Sequence, residues 1–168
     1  MTVFLHDEFL GLAFALSAST KQAYRRRSIS TAYYALFHRL AHDSATLFFR
    51  STPDEPVFAA TTRALDHRSM LNVCQGFAGL AVPKGPVQQL MNSVAIPDEL
   101  RQVSHCFVRL QRSRHRADYD VSALFSATEA KDRCFEVKLA FADLDKCQAD
   151  PAFRLFLACL LFANSWRT

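Results

Sequence analysis

Glycine and proline are scarce in this chain, with four Gly and six Pro in 168 residues. A fold of many short strands needs a turn former at almost every reversal. Their shortage therefore argues for a few long helices. Long apolar runs are missing too. The longest near the C-terminal end, residues 155–163, falls far short of the ~20 residues that cross a bilayer, so no membrane span is expected. The five cysteines (Cys74, Cys106, Cys134, Cys147 and Cys159) include no CxxC pair, and any pairing leaves one over. The expectation is reduced thiols in a cytoplasmic protein, with no disulfide framework and no metal site. The apolar N-terminal stretch is interrupted by His6, Asp7 and Glu8 and has no basic residue before it, unlike a secretion signal.

Core material is plentiful: half the residues are hydrophobic and fifteen are Phe. That suits one self-sufficient domain over residues 1–168. The net charge of +4 comes from 20 basic and 16 acidic residues. Fifteen of those twenty basic residues are Arg. The guanidinium fork matches phosphate oxygens better than an ammonium does, although a GC-rich coding bias yields the same excess.

Apolar spacing and capping residues place helices at about 7–16, 21–49, 57–77, 98–117, 126–148 and 151–163, with a short one near 87–92. Pro53 and Pro56 mark a loop, and residues 78–97 form the one long irregular stretch. The 21–49 helix is the clearest, with Ile29, Tyr33, Leu36, Phe37 and Leu40 recurring on one face. It opens with Lys21, Arg25, Arg26 and Arg27. Cations oppose the macrodipole at a helix start, so either another demand or simple solvation accounts for them. At the 126–148 helix, Ser126 and Glu129 suit a capping box. The expected fold is all-α: an up-and-down bundle of four to five main helices plus a C-terminal helix.

The chemistry concentrates on the helix that follows Pro97. On a wheel of about 100° per residue, Leu100, Val103, Cys106, Phe107, Leu110 and Ala117 share one arc. Arg109, Arg112, His115, Arg116 and Tyr119 share the opposite one. Arg binds and neutralises a phosphate, and His moves protons near neutral pH, so this arc suits phosphodiester work. The ordinary account of such an arc is a solvated basic face. Arg114 does not fit that account, because it falls on the apolar arc. A charge there needs a partner. Asp118, four residues later, supplies one, and Tyr33 or Tyr34 is within reach. His38 and His42 lie one turn apart but lack a third ligand for a metal. His67 is expected to cap or pack.

Two strings go further. Residues 28–38 read SISTAYYALFH and residues 114–120 read RHRADYD. Together they resemble the paired motifs of the HEPN superfamily, and Arg63–His67 (RALDH) and residues 70–74 resemble a bacterial subgroup of it. The resemblance covers roughly residues 20–145. It implies an HEPN-like helical bundle that dimerises and often cleaves RNA without a metal or other cofactor. The family's Arg, four to six residues, His pattern falls on Arg109 and His115, with Leu110 where a polar residue usually stands. By that resemblance, Arg109 and His115 are catalytic, and Arg112, Arg114, Arg116 and Tyr119 contact RNA. Arg114 and His115 with Tyr119 form an alternative set.

Three functions follow as expectations. One is a metal-independent endoribonuclease, acting as a toxin or defence effector. Another is a non-catalytic module that binds RNA, a nucleotide or a protein partner, such as a cognate antitoxin or a nucleotidyltransferase. The third is a structural dimerisation domain. RNA and a second copy of the chain are the expected partners.

Overall fold

The computed structural model describes residues 4–50, 55–83, 85–163 and 165–166, so Pro53 lies outside the described residues. The described chain is all-α and forms a helical bundle. Its helices are α1 (Leu5–Ser17), α2 (Gln22–Phe49), α3 (Pro56–Ala64), α4 (His67–Phe77), α5 (Pro86–Asn92), α6 (Asp98–Tyr119), α7 (Ala127–Cys147) and α8 (Pro151–Phe162). No strand occurs among the described residues. None of their helices is long and apolar enough to cross a membrane.

Most expected helices are present within a residue or two of their expected ends. The stretch 57–77 is the exception: it is two helices, not one. Leu65 is extended (ψ 122°) and ends α3. Asp66 then accepts the amides of Arg68 and Ser69 at 3.0 and 2.9 Å and starts α4. An Asp that satisfies two orphan amides favours a fresh helix start over helix interior. The apolar periodicity of Phe58, Leu65, Leu71 and Val73 conceals this break. At the other end of α4, Gly79 takes φ 71°, and the Gly79 and Leu80 amides bond back to Gly76 and Gln75. This left-handed closure stops the helix where glycine bears no Cβ penalty.

The chain groups into two compact units, Met1–His38 with Cys106–Ala142, and Arg39–His105 with Asp143–Thr168. In the first unit, consecutive contacts run in opposite directions along paired helices. Phe14 meets Phe135 while His6 meets Phe141, so α1 and α7 are antiparallel. Ser30 meets Asp118 while Tyr33 meets Phe107, so α2 and α6 are antiparallel as well. Ile29, Tyr33, Leu36, Phe107, Leu110 and Val137 are almost wholly buried there. Each large apolar side chain removed from water contributes about 1.5–3 kcal/mol before ordering costs. In the second unit α4 packs on α8, with Phe77 edge-on to Phe156 at 4.9 Å between centroids. All five cysteines are buried and outside any disulfide, and pack as small side chains.

Candidate nucleic-acid interface

The two arcs of α6 separate as its wheel requires. Leu100, Val103, Cys106, Phe107, Leu110 and Ala117 are buried. Arg109, Arg112, His115, Arg116 and Tyr119 are exposed. Helix α6 continues to Tyr119, which keeps Asp118 on the helix and one turn from Arg114.

Arg114 is turned inward, with 17% of its side chain exposed. Its Nε donates to Asp118 at 3.1 Å. Its guanidinium carbon lies 5.3 Å from the ring centroids of both Tyr33 and Tyr34, which places the cation against two ring quadrupoles. Asp118 also accepts the Ser30 hydroxyl, and the Tyr33 hydroxyl donates to Gln111 at 3.1 Å. Ser30, Tyr33 and Tyr34 of SISTAYYALFH therefore meet Arg114 and Asp118 of RHRADYD, in the antiparallel contact of α2 with α6.

The outward residues stand differently. His115 tilts against Tyr119, with 5.0 Å between ring centroids. Arg116 lies 5.1 Å from the centroid of Phe125 and 3.7 Å from a Glu129 oxygen. Arg109 is drawn to Glu136 on α7, Nε to Oε2 at 3.5 Å. His115 lies six positions after Arg109, which puts them about 120° apart around one helix. Within one chain the two do not converge.

The basic run at the start of α2 has a specific use. Arg26 donates from its two terminal nitrogens to the carbonyls of Ala123 and Asp120, at 3.0 and 2.8 Å. Arg25 donates to the carbonyls of Ser19 and Phe125. The Gln22 amide pairs twice with the Phe125 backbone, at 2.8 and 3.0 Å. Apart from that of Ser19, these carbonyls belong to the loop that follows α6, so the cations tie the start of α2 to that loop. The tie holds Phe125 in a buried cluster with Ile29, Ala117, Ala123 and Ala130. Within that loop Asp120 accepts from the Ser122 hydroxyl and amide, which hold its carboxyl below the ordinary carboxylate range. Nothing in residue spacing alone links Arg26 to residues 120–123. Glu136 was likewise invisible as a partner of α6.

His38 stacks on Phe9 at 5.1 Å and His42 lies edge-on to Phe58 at 5.7 Å, so both pack against aromatic rings. His67 opens α4 directly after its Asp66 cap. No group of three metal-ligating side chains occurs among the described residues. A cavity of about 420 Å³ in the second unit is lined by Asn72, Gln75, Val82 and Val87 among others. Its described lining carries no charge.

No family model matches the chain, and no curated protein or solved structure does so either.

Proposed function

We propose that this chain is an HEPN-like RNA-binding protein and a metal-independent endoribonuclease, acting as a toxin or defence effector. One observation carries the reading. Arg112, His115, Arg116 and Tyr119 lie together on the exposed side of α6, while the neighbouring Arg114 is turned inward and held by Asp118. That side offers two guanidinium forks for phosphates, an imidazole and an aromatic face for a base.

In this reading His115 takes the proton of a ribose 2′-hydroxyl, whose oxygen attacks the adjacent phosphorus. The 5′-oxygen of the next nucleotide leaves, and a 2′,3′-cyclic phosphate remains. Arg109 stabilises the charge that develops on the phosphorane. Because Arg109 and His115 diverge on one helix, the reacting pair is His115 of one copy with Arg109 of a second. A homodimer is thus part of the proposal.

The test is cleavage of RNA by the purified protein in EDTA. His115→Ala is expected to slow cleavage ~10²–10⁴-fold while leaving most of the affinity. Arg112→Ala is expected to weaken binding and lower its salt slope by about one. A wild-type protein that cuts no RNA, or an equally active His115→Ala, overturns the catalytic part.

A second reading is favoured by the Arg109–Glu136 contact, which draws the proposed catalytic arginine to a carboxylate. There the chain is a non-catalytic module that binds RNA, or docks an antitoxin or a nucleotidyltransferase. Salt-sensitive RNA binding without cleavage selects RNA binding within this reading.

A further inference from the structure

Two arginines from different helices share one carboxylate in the first unit. Glu136 on α7 accepts at Oε1 from Arg133 Nη1, 2.6 Å away. Its second oxygen, Oε2, lies 3.5 Å from Nε of Arg109 on α6, close enough for charge attraction but not for a hydrogen bond. Two guanidinium groups thus face one carboxylate, and the trio carries a net positive charge.

The hydrogen bonding does not close either. Arg133 Nε is buried and has no hydrogen-bond partner among the described residues, and neither has Glu136 Oε2. A buried donor left unmet costs stability, so a structural ion-pair cluster would be expected to satisfy it. The cluster is nonetheless reachable, since the side chains of Arg109, Arg133 and Glu136 are 48%, 21% and 25% exposed. An excess of cation, a buried unmet donor and an exposed Arg109 on the same carboxylate together describe an anion site.

We propose that Arg109 and Arg133 form a phosphate-binding site, in which Glu136 occupies Arg109 until a phosphodiester group displaces it. The inference rests on the reading of α6 as the RNA-facing helix and adds Arg133, on α7, to that surface. A phosphate presents more acceptor oxygens than a carboxylate and can engage two guanidinium forks at once. The long Arg109–Glu136 contact gives way, and the short Arg133–Glu136 bond persists. The incoming oxygens meet the exposed donors of Arg109, and the Arg133 side chain turns to bring its buried Nε to them. Glu136 therefore acts as a competitor that weakens RNA binding.

The test follows the arginine Nε–H NMR signals of the intact chain during titration with inorganic phosphate, and then with a short single-stranded RNA. Saturable shifts at both Arg109 and Arg133 are expected with each ligand. Glu136→Gln is expected to tighten RNA binding about two- to fivefold, the range of a partly exposed ion pair. Arg133→Gln is expected to weaken it and to lower the salt slope by about one. Arg133→Lys keeps the charge without the fork and is expected to recover only part of the affinity.

An Arg133 signal unmoved by both ligands overturns the site without relying on any variant. RNA binding that ignores both Glu136→Gln and Arg133→Gln overturns it while leaving the RNA reading in place. Shifts with phosphate but no binding of RNA support the anion site and overturn the RNA reading instead.

Discussion

Arg114 donates from Nε to Asp118, 3.1 Å away and one turn later on α6, and Asp118 in turn accepts the Ser30 hydroxyl of α2. The arginine with two tyrosine faces beside it, the carboxylate and the serine form one chain of contacts across two helices.

Arg114→Ala is expected to remove the ion pair and both cation–π contacts while leaving Asp118 partly buried. The pair is more sheltered than a surface bridge and less so than a core one. A cost of about 2–3 kcal/mol follows. For a chain of this size that lowers the melting temperature by about 5–10 °C in calorimetry. An unchanged melting temperature would show that the contact is ornamental.

Gln22→Ala is expected to release the loop after α6. The substitution removes both hydrogen bonds to the Phe125 backbone. Each such bond contributes about 0.5–1.5 kcal/mol. Hydrogen exchange at the Phe125 amide should then quicken about tenfold, with much smaller changes in α4 and α8. Equal acceleration across the whole chain would mean global destabilisation instead.

Asp43 makes the second unit sensitive to pH. It receives Arg39 Nε at both carboxylate oxygens, 3.0 and 2.9 Å, and Arg39 also bonds Asp145. Burial opposes the Arg39 charge, but Asp43 and Asp145 more than offset it and raise its pKa. At Asp43 burial outweighs the attraction of Arg39, and the carboxyl is pushed up to about 6. The arginine does not titrate in the working range, so the carboxyl decides the pH dependence. A pKa higher in the folded than in the unfolded chain means that folding takes up a proton between about pH 4 and 6. The Asp43 contribution to stability should therefore rise by about 1–3 kcal/mol as pH falls from 7 towards 4. Denaturant unfolding across that range, compared with Asp43→Asn, isolates it. A wild-type profile that parallels the variant contradicts the assignment.

Asp66→Ala is expected to fray the start of α4. The Ser69 hydroxyl and amide, with the Arg68 amide, hold the Asp66 carboxyl below its ordinary range, as befits a capping carboxylate. Losing the cap costs about 1 kcal/mol. Asp66→Asn should recover most of it, since its amide oxygen still accepts from the same amides. If Asp66→Asn melts as low as Asp66→Ala, capping is not what the residue does.

The α6 surface was legible from its own periodicity. One helix turn fixes which side chains share a face, so the exposed Arg112, His115, Arg116 and Tyr119 and the Arg114–Asp118 pairing follow from spacing within a single element. The destinations of Arg25 and Arg26 were not legible. Apart from the Ser19 carbonyl, their partners are backbone carbonyls about a hundred residues away, and carbonyls carry no sequence signature. The break at Leu65 and Asp66 was hidden for a different reason: apolar spacing continued through it, and one capping side chain decided the backbone.

Residue spacing alone determined that this protein is helical, which side of α6 is basic, and that Arg114 needs a carboxylate. These are local matters, set within a few turns by the 3.6-residue period and by the cost of an unpaired charge. Only the tertiary structure decided that Arg109 and Arg133 share Glu136, that Arg39 reaches Asp145 as well as Asp43, and that the arginines of α2 tie down residues 120–125. Those relations depend on which helices become neighbours, and that is set by the packing of whole apolar faces.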